Sequence, residues 1–378
     1  MQSKLPHVGT TIFSVMSALA TEHNAINLSQ GFPNFPISDT LKNLVNEALQ
    51  ADQVQYAPMP GRIDLRQQIA AQVLTKHGVA INPETEITIT AGATQAIFTA
   101  IAALISAGDE VIMFDPAYDC YDPAVVLFGG KPVHLKLRFP SYQVDWNELD
   151  DKITDKTKLL ILNNPNNPAG SVWNANDLLS LEQILQKHPQ LYIISDEVYE
   201  YIQFEGTHQS VLKNEFIRSR SFVTYSFGKT LHVTGWKLGY CVAPELLTRE
   251  FRKVHQFNVF CVNNTMQYAV AGYLQHANDL DTIASMYQRK RDLFINALAN
   301  SRFTLLPCAG TYFCLADYSN ITDEPDTEFA KRLTRENGVA AIPVSVFYEY
   351  LTDHKVLRFC FAKTDETVTA AAEKLCRI

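Results

Sequence analysis

The chain has 378 residues, of which 47% are hydrophobic and 19% charged, a composition typical of a globular protein with one large and one smaller domain. Its net charge of -8 disfavours a nucleic-acid-binding function. The seven cysteines are odd in number and form no CxxC pair, so we expect neither a disulfide framework nor a metal site, and we expect a reducing, cytoplasmic location.

The first apolar segment, residues 12–20, resembles the core of a signal peptide. However, its apolar residues recur at helical spacing, and Lys4 is the only basic residue before them. We therefore expect an amphipathic helix here and no signal peptide. The longest apolar helical stretch, around residues 96–107, is too short to span a bilayer, so a soluble protein without a membrane segment is expected.

The middle of the chain alternates short apolar runs with helical patterns. Five runs are predicted to be strands: Glu86–Thr90, Glu110–Phe114, Lys158–Leu162, Leu191–Ser195 and Ser221–Tyr225. Helices are predicted over Thr94–Ser106 and Ala175–Lys187. The alternation predicts an α/β fold with a mainly parallel sheet that helices cover on both faces.

Small, polar, aromatic or ionisable residues follow each of the five predicted strands. In chain order these segments are Ala91–Thr94, Asp115–Tyr118, Asn163–Pro168, Asp196–Tyr199 and Ser226–Lys229. Ligands of parallel sheets bind beyond the carboxyl ends of the strands. The five segments therefore predict one composite active site.

After about residue 280 the pattern changes to that of an α+β domain. Two helices are predicted, over Met286–Ala299 and near Thr327–Glu336, followed by strands over Val339–Ile342 and Val356–Phe361 and a closing helix. We expect three parts: an N-terminal segment (1–37) that joins the small domain, a large ligand-binding domain (38–284) and a C-terminal small domain (285–378).

Lys229 directly follows the last strand predicted for the large domain. Burial lowers the pKa of a lysine and turns its amine into a nucleophile. Such amines form Schiff bases with carbonyls, including the aldehyde of pyridoxal 5'-phosphate (PLP). Lys237 is a second candidate, but it lacks the position at the end of a strand.

Two strand ends offer further groups that suit such a cofactor. Gly92, Ala93 and Thr94 precede a helix, whose free N–H groups bind phosphate, although a plain turn with a threonine cap is the alternative. Asp196 ends a strand, where a buried carboxylate needs a cationic or protonated partner such as a pyridinium N–H. Its alternative is a helix cap or an internal ion pair.

Four other residues have polar or aromatic side chains that fit the same site. Tyr199 and Asn167 could contact a ring oxygen, and Tyr118 could stack on an aromatic ring. The alternative for the two tyrosines is packing in the core, and the alternative for Asn167 is an asparagine-rich turn. Arg358, in the run Val356–Phe361, has the bidentate fork that suits a carboxylate. Its alternative is an exposed position or a structural salt bridge.

Together these residues resemble the fold-type-I PLP-dependent aminotransferases of class I/II. The branch they resemble most contains kynurenine aminotransferase, glutamine transaminase K and bacterial methionine aminotransferase. The resemblance runs over essentially the whole chain through the segments Asn27–Pro33, Gln55–Pro58, Asp115–Asp119, Ser195–Tyr199, Ser226–Thr230 and Arg358–Lys363. It implies a seven-stranded, mainly parallel sheet in the large domain.

The resemblance also implies a role for each candidate. Lys229 would be the Schiff-base lysine, and Asp196 the partner of the pyridine nitrogen; with Tyr199 these are the implied catalytic residues. Tyr199 and Asn167 would contact the phenolic oxygen, and Tyr118 would stack on the ring. The phosphate would be held by Gly92, Ala93, Thr94, Ser226 and Lys237, with Tyr56 from the neighbouring subunit of a homodimer. The substrate carboxylate would be bound by Gly31, Asn167 and Arg358.

One position departs from the common family pattern. Arginine usually lies eight residues after the Schiff-base lysine, and here that residue is Lys237. Lysine keeps the charge but loses the bidentate fork. We therefore expect the change to affect cofactor affinity and not the type of reaction.

The expected reaction is transfer of an α-amino group from a neutral amino acid (methionine, glutamine or an aromatic residue, including kynurenine) to a 2-oxo acid. The neutral side chain is suggested by nearby aromatic residues: Phe13, Phe32, Tyr56, Tyr118 and Phe347. Two alternatives are a cystathionine β-lyase-like C–S lyase with the same cofactor and a PLP-binding regulatory protein without turnover. Release of pyruvate and ammonia from cystathionine would identify the lyase.

Overall fold

The computed structural model describes residues 2–275 and 280–378. Its helices are α1 (Ile12–Glu22), α2 (Asp39–Gln50), α3 (Ile63–His77), α4 (Ala93–Leu104), α5 (Tyr121–Leu127), α6 (Trp146–Lys152), α7 (Ala175–Lys187), α8 (Glu215–Arg218), α9 (Phe227–Thr230), α10 (Glu245–Asn258), α11 (Asn264–Gln275), α12 (Leu280–Ala297), α13 (Asp326–Glu336) and α14 (Asp365–Leu375). Its strands are β1 (Ile26–Asn27), β2 (Ile87–Thr90), β3 (Glu110–Asp115), β4 (Lys131–Lys136), β5 (Thr157–Asn163), β6 (Tyr192–Asp196), β7 (Ser221–Ser226), β8 (Gly239–Val242), β9 (Thr304–Leu305), β10 (Phe313–Asp317), β11 (Val339–Ala340), β12 (Ile342–Pro343) and β13 (Val356–Cys360).

A sheet of seven strands forms the centre of the described structure, in the order β2-β8-β7-β6-β5-β3-β4. Strands β7, β6, β5, β3 and β4 pair in parallel, and β8 lies antiparallel between β2 and β7. Strand β2 therefore runs in the same direction as the parallel strands. The carboxyl ends of all strands except β8 thus meet at one edge of the sheet, where ligands of such folds bind.

The alternation of side chains along β5 shows that both faces of the sheet are covered. Leu160 and Leu162 belong to the larger apolar core, while Leu159 and Ile161 face a second core that contains Ile97 of α4. Neighbouring residues of a strand point to opposite faces, so each face of β5 is buried. The expected α/β architecture with helices on both faces is confirmed.

The five strands predicted for this sheet are confirmed to within about one residue at each end. Strands β4 and β8 were not predicted. Strand β4 lies at the edge of the sheet, contains Pro132 and carries lysines at both ends, so it lacks the apolar run of a buried strand. Strand β8 has four residues and begins at Gly239, and a glycine weakens the strand pattern.

The C-terminal part contains a four-stranded antiparallel sheet in the order β12-β13-β10-β9. The prediction of one strand over Val339–Ile342 was wrong. Its first half is β11, which pairs in parallel with β1, and its second half is β12, which pairs with β13. Two short strands in different sheets replace one continuous strand, so Ala341 is a corner between them.

In the part of the chain that the structure describes, none of the helices combines the length and the apolarity needed to cross a bilayer.

Candidate active site

A cavity of about 210 Å³ lies beyond the carboxyl ends of the central strands. It is lined by segments that follow β2, β3, β5, β6 and β7, as well as by residues of the N-terminal segment and the C-terminal sheet. The structure brings these sequence-predicted residues together in it: Gly31, Gly92, Ala93, Thr94, Tyr118, Asn167, Asp196, Tyr199, Ser226, Lys229, Lys237 and Arg358. The convergence of the strand ends on one site is therefore confirmed.

Three predicted aromatic residues do not line this cavity: Tyr56, Phe32 and Phe347. Tyr56 is 81% exposed. Among the described residues, the one aromatic ring that its ring contacts is that of Phe260, edge-on with the centroids 5.3 Å apart. Phe32 is 44% exposed and lies under the Lys363 ammonium group. Phe13 and Tyr118 do line the cavity, and Phe347 packs against Arg358 at its border.

Lys229 lies on the short helix α9, directly after β7, and its side chain is partly buried in the cavity. Its Nζ donates to the backbone carbonyl of Gly31 at 3.4 Å. The Lys229 pKa is lowered from 10.5 to about 8, mainly by burial and in smaller part by the positive charges of Arg358 and Lys237. The unprotonated amine, which a nucleophile or a base requires, is therefore far more abundant near neutral pH than for an exposed lysine, although it is still the minor form.

Asp196 ends β6 and is 4% exposed. Its Oδ2 accepts a hydrogen bond from the Tyr121 hydroxyl at 2.7 Å, and its Oδ1 accepts a longer one from the Val198 N–H at 3.4 Å. Burial raises the Asp196 pKa to about 6, although the Tyr121 hydrogen bond opposes this shift. A carboxylate in this state favours a cationic or protonated partner in the cavity.

Asn163 connects two of the predicted residues. Its Nδ2 donates to the Asp196 backbone carbonyl at 2.9 Å, and its Oδ1 accepts from the Asn167 N–H at 2.7 Å. Asn167 in turn accepts a hydrogen bond from Arg358 at 2.8 Å through its side-chain oxygen. These bonds hold the ends of β5 and β6 and the arginine in one rigid arrangement.

One end of the cavity is built to hold an anion. Helix α4 begins at Ala93 after Gly92, whose φ of +80° favours glycine. A Cβ atom on Gly92 would lie 3.5 Å from Lys237 Nζ, so this ammonium group lies beside the helix N-terminus. Free backbone N–H groups, the helix dipole and a lysine together suit a phosphate.

Arg358 is 1% exposed and belongs to β13 of the C-terminal sheet, which lines the cavity. Its Nη1 donates to Asn167 Oδ1 at 2.8 Å and its Nη2 to the Ser29 carbonyl at 3.0 Å, whereas its buried Nε has no partner among residues 2–275 and 280–378. Three aromatic rings surround the guanidinium group, with Cζ-to-centroid distances of 3.9 Å to Phe313, 5.3 Å to Phe13 and 5.5 Å to Phe347. No carboxylate pairs with it among the described residues. This cation is available for an anionic ligand.

Gly31 connects the lysine to the wall of the cavity. Its carbonyl accepts from Lys229 Nζ and, at 2.6 Å, from the Tyr312 hydroxyl. A Cβ atom on Gly31 would lie 2.6 Å from the Phe313 ring. A side chain at position 31 would therefore displace the ring that packs on Arg358.

Sequence reasoning missed Tyr121, Asn163 and Phe313 as site residues. Tyr121 lies three residues after Tyr118, and Asn163 begins the asparagine-rich segment, so both had a local signal. Phe313 had none, because it reaches the site through the pairing of β10 with β13. The sequence does not predict the register of these two strands, in which Cys314 pairs with Phe359 and Leu315 with Arg358.

Comparison with known proteins identifies the family. Residues 23–375 match the family model for "Aminotransferase class I and II". The chain is 47% identical to methionine aminotransferase of Escherichia coli (strain K12), over 99% of this chain and 97% of that protein. It is 34% identical to human kynurenine–oxoglutarate transaminase 1, over 94% and 93% of the two chains. The crystal structure of YbdL from Escherichia coli, described as having a methionine aminotransferase function, superposes with a TM-score of 0.98 at 47% identity, covering 100% of this chain and 99% of that one.

These relatives support a transaminase and do not favour the C–S lyase alternative. The sheet order, the cavity and the family match agree on the fold as well as the chemistry. The chain belongs to the class I and II aminotransferases, enzymes of the PLP-transferase fold type I that depend on PLP.

Proposed function

We propose that this aminotransferase transfers the α-amino group of a neutral amino acid, namely methionine, glutamine or an aromatic residue including kynurenine, to a 2-oxo acid. The observation that carries the proposal is the position of Arg358. This arginine is buried, free of carboxylate partners among the described residues and enclosed by Phe13, Phe313 and Phe347. A substrate α-carboxylate bound there places its side chain among aromatic rings.

The charges of the cavity support a neutral side chain. Of the described residues that line it, the basic ones are Lys229, Lys237 and Arg358. Lys237 lies at the anion-binding end, Lys229 reaches the reacting centre and Arg358 takes the α-carboxylate. No cation of the lining is left for a second carboxylate, and a buried anion without a partner is costly.

The test is a panel of amino donors assayed against several 2-oxo acids. We expect methionine, glutamine and aromatic donors to give values of kcat/KM at least about tenfold above aspartate, because an unpaired charge in the cavity costs more than one kcal/mol. A preference for aspartate would contradict the proposed substrate class. The names of the methionine and kynurenine enzymes that resemble this chain guide the choice of donors.

The residues of the cavity fit PLP. The anion-binding end formed by Gly92, Ala93, Thr94, Ser226 and Lys237 would hold the phosphate, and the buried Asp196 would face the protonated ring nitrogen. Tyr118 would lie against the ring, Tyr199 and Asn167 would contact its phenolic oxygen, and Lys229 would hold the cofactor covalently through Nζ. When bound, PLP supplies an aldehyde that captures the substrate amine and a ring that accepts the electron pair released at Cα.

The chain's own groups perform the remaining steps. The guanidinium group of Arg358 and the side chain of Asn167 bind the substrate carboxylate and fix the direction of the Cα–H bond. Lys229 Nζ, with its lowered pKa, would take the proton from the substrate Cα and return it to the carbon two bonds away, which derives from the cofactor aldehyde. The Gly31 carbonyl holds the Lys229 amine within the cavity between these transfers.

The lowered pKa of Lys229 leads to a pH dependence that can be measured in the apoenzyme. Because only the unprotonated amine attacks an aldehyde, we expect the rate of PLP incorporation to rise with pH and to level off above about pH 8. Arg358 is one of the charges that lower this pKa, so Arg358→Met is expected to move the midpoint upward. Stopped-flow absorbance of apoenzyme mixed with PLP gives both midpoints. A wild-type midpoint near 10.5 would contradict the account.

We propose that the enzyme is a homodimer in which Tyr56 reaches the active site of the neighbouring subunit. Tyr56 is outside the cavity of its own subunit and 81% exposed. Other exposed apolar side chains belong to the same segments, including Val54 at 54% and Phe257 at 90%, and Phe260 contacts Tyr56. Large exposed apolar side chains of this kind are typical of an interface between subunits.

Mixing two variants that are each inactive at a low PLP concentration tests this sharing of residues. Tyr56→Ala is expected to weaken PLP binding, and Lys229→Ala to remove turnover. In a hybrid dimer, one of the two sites has an intact Lys229 and an intact Tyr56. Unfolding and refolding an equal mixture is therefore expected to restore about a quarter of the wild-type activity, since half of the dimers are hybrids. Absence of any recovery, in a mixture shown to contain hybrids, would contradict the exchange of Tyr56.

We further propose the division into an N-terminal segment (1–37), a large domain (38–284) and a small domain (285–378). It is supported by the pairing of β1 with β11, which attaches the N-terminal segment to the C-terminal part. We also propose a cytoplasmic location, which the seven free cysteines support.

A further inference from the structure

Tyr121 contacts both groups that would hold the cofactor ring. Its hydroxyl donates to Asp196 Oδ2 at 2.7 Å. Its ring packs edge-on against the Tyr118 ring, with centroids 5.8 Å apart and an interplanar angle of 75°. Tyr121 is 3% exposed and does not line the cavity, so it reaches the cofactor only through these two residues.

The hydroxyl of Tyr121 is a permanent hydrogen-bond donor. Its burial, together with the neighbouring Asp196 charge, raises its pKa well above 10, so it stays protonated at all working pH values. Among the described residues, the Asp196 carboxylate has one other donor, the Val198 N–H at 3.4 Å, which is long for a hydrogen bond. Tyr121 therefore supplies the shortest hydrogen bond of this carboxylate. Other titratable groups that influence Asp196 or are influenced by it are Lys229, Glu197, Cys120, Tyr118 and Tyr199.

We propose that Tyr121 is a positioning residue that keeps the proton on the ring nitrogen of PLP by making Asp196 a weaker base, and that it holds Tyr118 against the ring. The inference rests on the proposed placement of Asp196 at the ring nitrogen. It assigns a role to a residue that touches neither cofactor nor substrate.

The physical reason is a competition for one proton. The ring nitrogen and the facing carboxylate oxygen share it, and the more basic atom holds it. A donor on the other carboxylate oxygen stabilises the anion and lowers its basicity. Without the hydroxyl, Asp196 becomes more basic and competes better for the proton, so the ring nitrogen holds less strongly the proton whose charge makes the ring an electron acceptor.

The test uses holoenzyme reconstituted with PLP that carries ¹⁵N at the ring nitrogen. The ¹⁵N chemical shift reports directly whether this nitrogen is protonated. In Tyr121→Phe, we expect the pH at which the nitrogen loses its proton to fall by about one unit, a tenfold change in proton affinity. We expect the dissociation constant of PLP to rise by a similar factor, because the charged pair in the site is weakened.

Two further variants separate the possible outcomes. Tyr318→Phe is the control: Tyr318 is also fully buried, and its hydroxyl donates to the Glu324 carbonyl at 2.8 Å. Because Tyr318 belongs to the C-terminal part and does not contact Asp196, this variant should leave the ¹⁵N shift unchanged. Asp196→Asn should give an unprotonated ring nitrogen. If Asp196→Asn changes the shift and Tyr121→Phe does not, the role of Tyr121 is refuted. If Asp196→Asn leaves the shift unchanged, the placement of Asp196 itself is wrong.

Discussion

Replacing Lys229 with alanine is expected to lower turnover by at least about 10⁴-fold, because a positioned acid–base group alone contributes about 10²–10⁴-fold and the covalent attachment of PLP is lost as well. The backbone around α9 should be retained, since the Lys229 side chain is only partly buried and its one hydrogen bond to the described residues is to the Gly31 carbonyl. Steady-state assays with methionine and a 2-oxo acid measure the loss.

Two comparisons make the Lys229 result specific. Lys229→Arg keeps the positive charge but supplies no usable amine, so it should be as inactive as the alanine variant. Lys253→Ala removes an exposed lysine that pairs with Glu250 on α10, and it should retain wild-type turnover. Near-normal rates in Lys229→Ala would overturn the assignment of this residue.

Arg358→Met is expected to lower kcat/KM for the amino donor by about 10²–10³-fold, because removing one partner of a buried charge pair costs several kcal/mol. Most of the loss should come from KM, since Arg358 binds the carboxylate in the ground state as well as in the transition state. Methionine has a similar length and leaves the rings of Phe13, Phe313 and Phe347 a side chain to pack against. The variant therefore removes the charge with little loss of volume.

The amide of methionine shows whether the effect comes from the substrate carboxylate. The wild-type enzyme should prefer methionine to methioninamide strongly, and Arg358→Met should have lost most of this preference. Arg358→Lys, which keeps the charge without the fork, should lie between the two. An unchanged preference in Arg358→Met would place the carboxylate at another residue.

The strands of the central sheet could be predicted because their signal is local. An apolar run of five residues between helical patterns marked β3, β5, β6 and β7, and the chemistry of the residues after each run marked the site. Strand β4 could not be found in this way, because an edge strand needs no continuous apolar run.

The site residues also divide into those with a local sequence signal and those placed by tertiary contacts. Asp196 and Lys229 end strands and carry ionisable groups that a buried site must use, so the sequence alone made them candidates. The enclosure of Arg358 depends on contacts with Phe13 and Phe313, which lie 345 and 45 positions away in the chain (358 − 13 and 358 − 313). Tertiary packing brings these rings together, and no local pattern predicts it.

Borohydride reduction of the holoenzyme, followed by peptide mapping, tests the central assignment most directly. Reduction makes the bond between the cofactor and its lysine permanent, and mass spectrometry then locates the added mass. We predict that the cofactor is found on the peptide that contains Lys229 and on the Lys229 side chain itself. Labelling of Lys237 instead, or the absence of any reducible attachment in active enzyme, would contradict the account of this site.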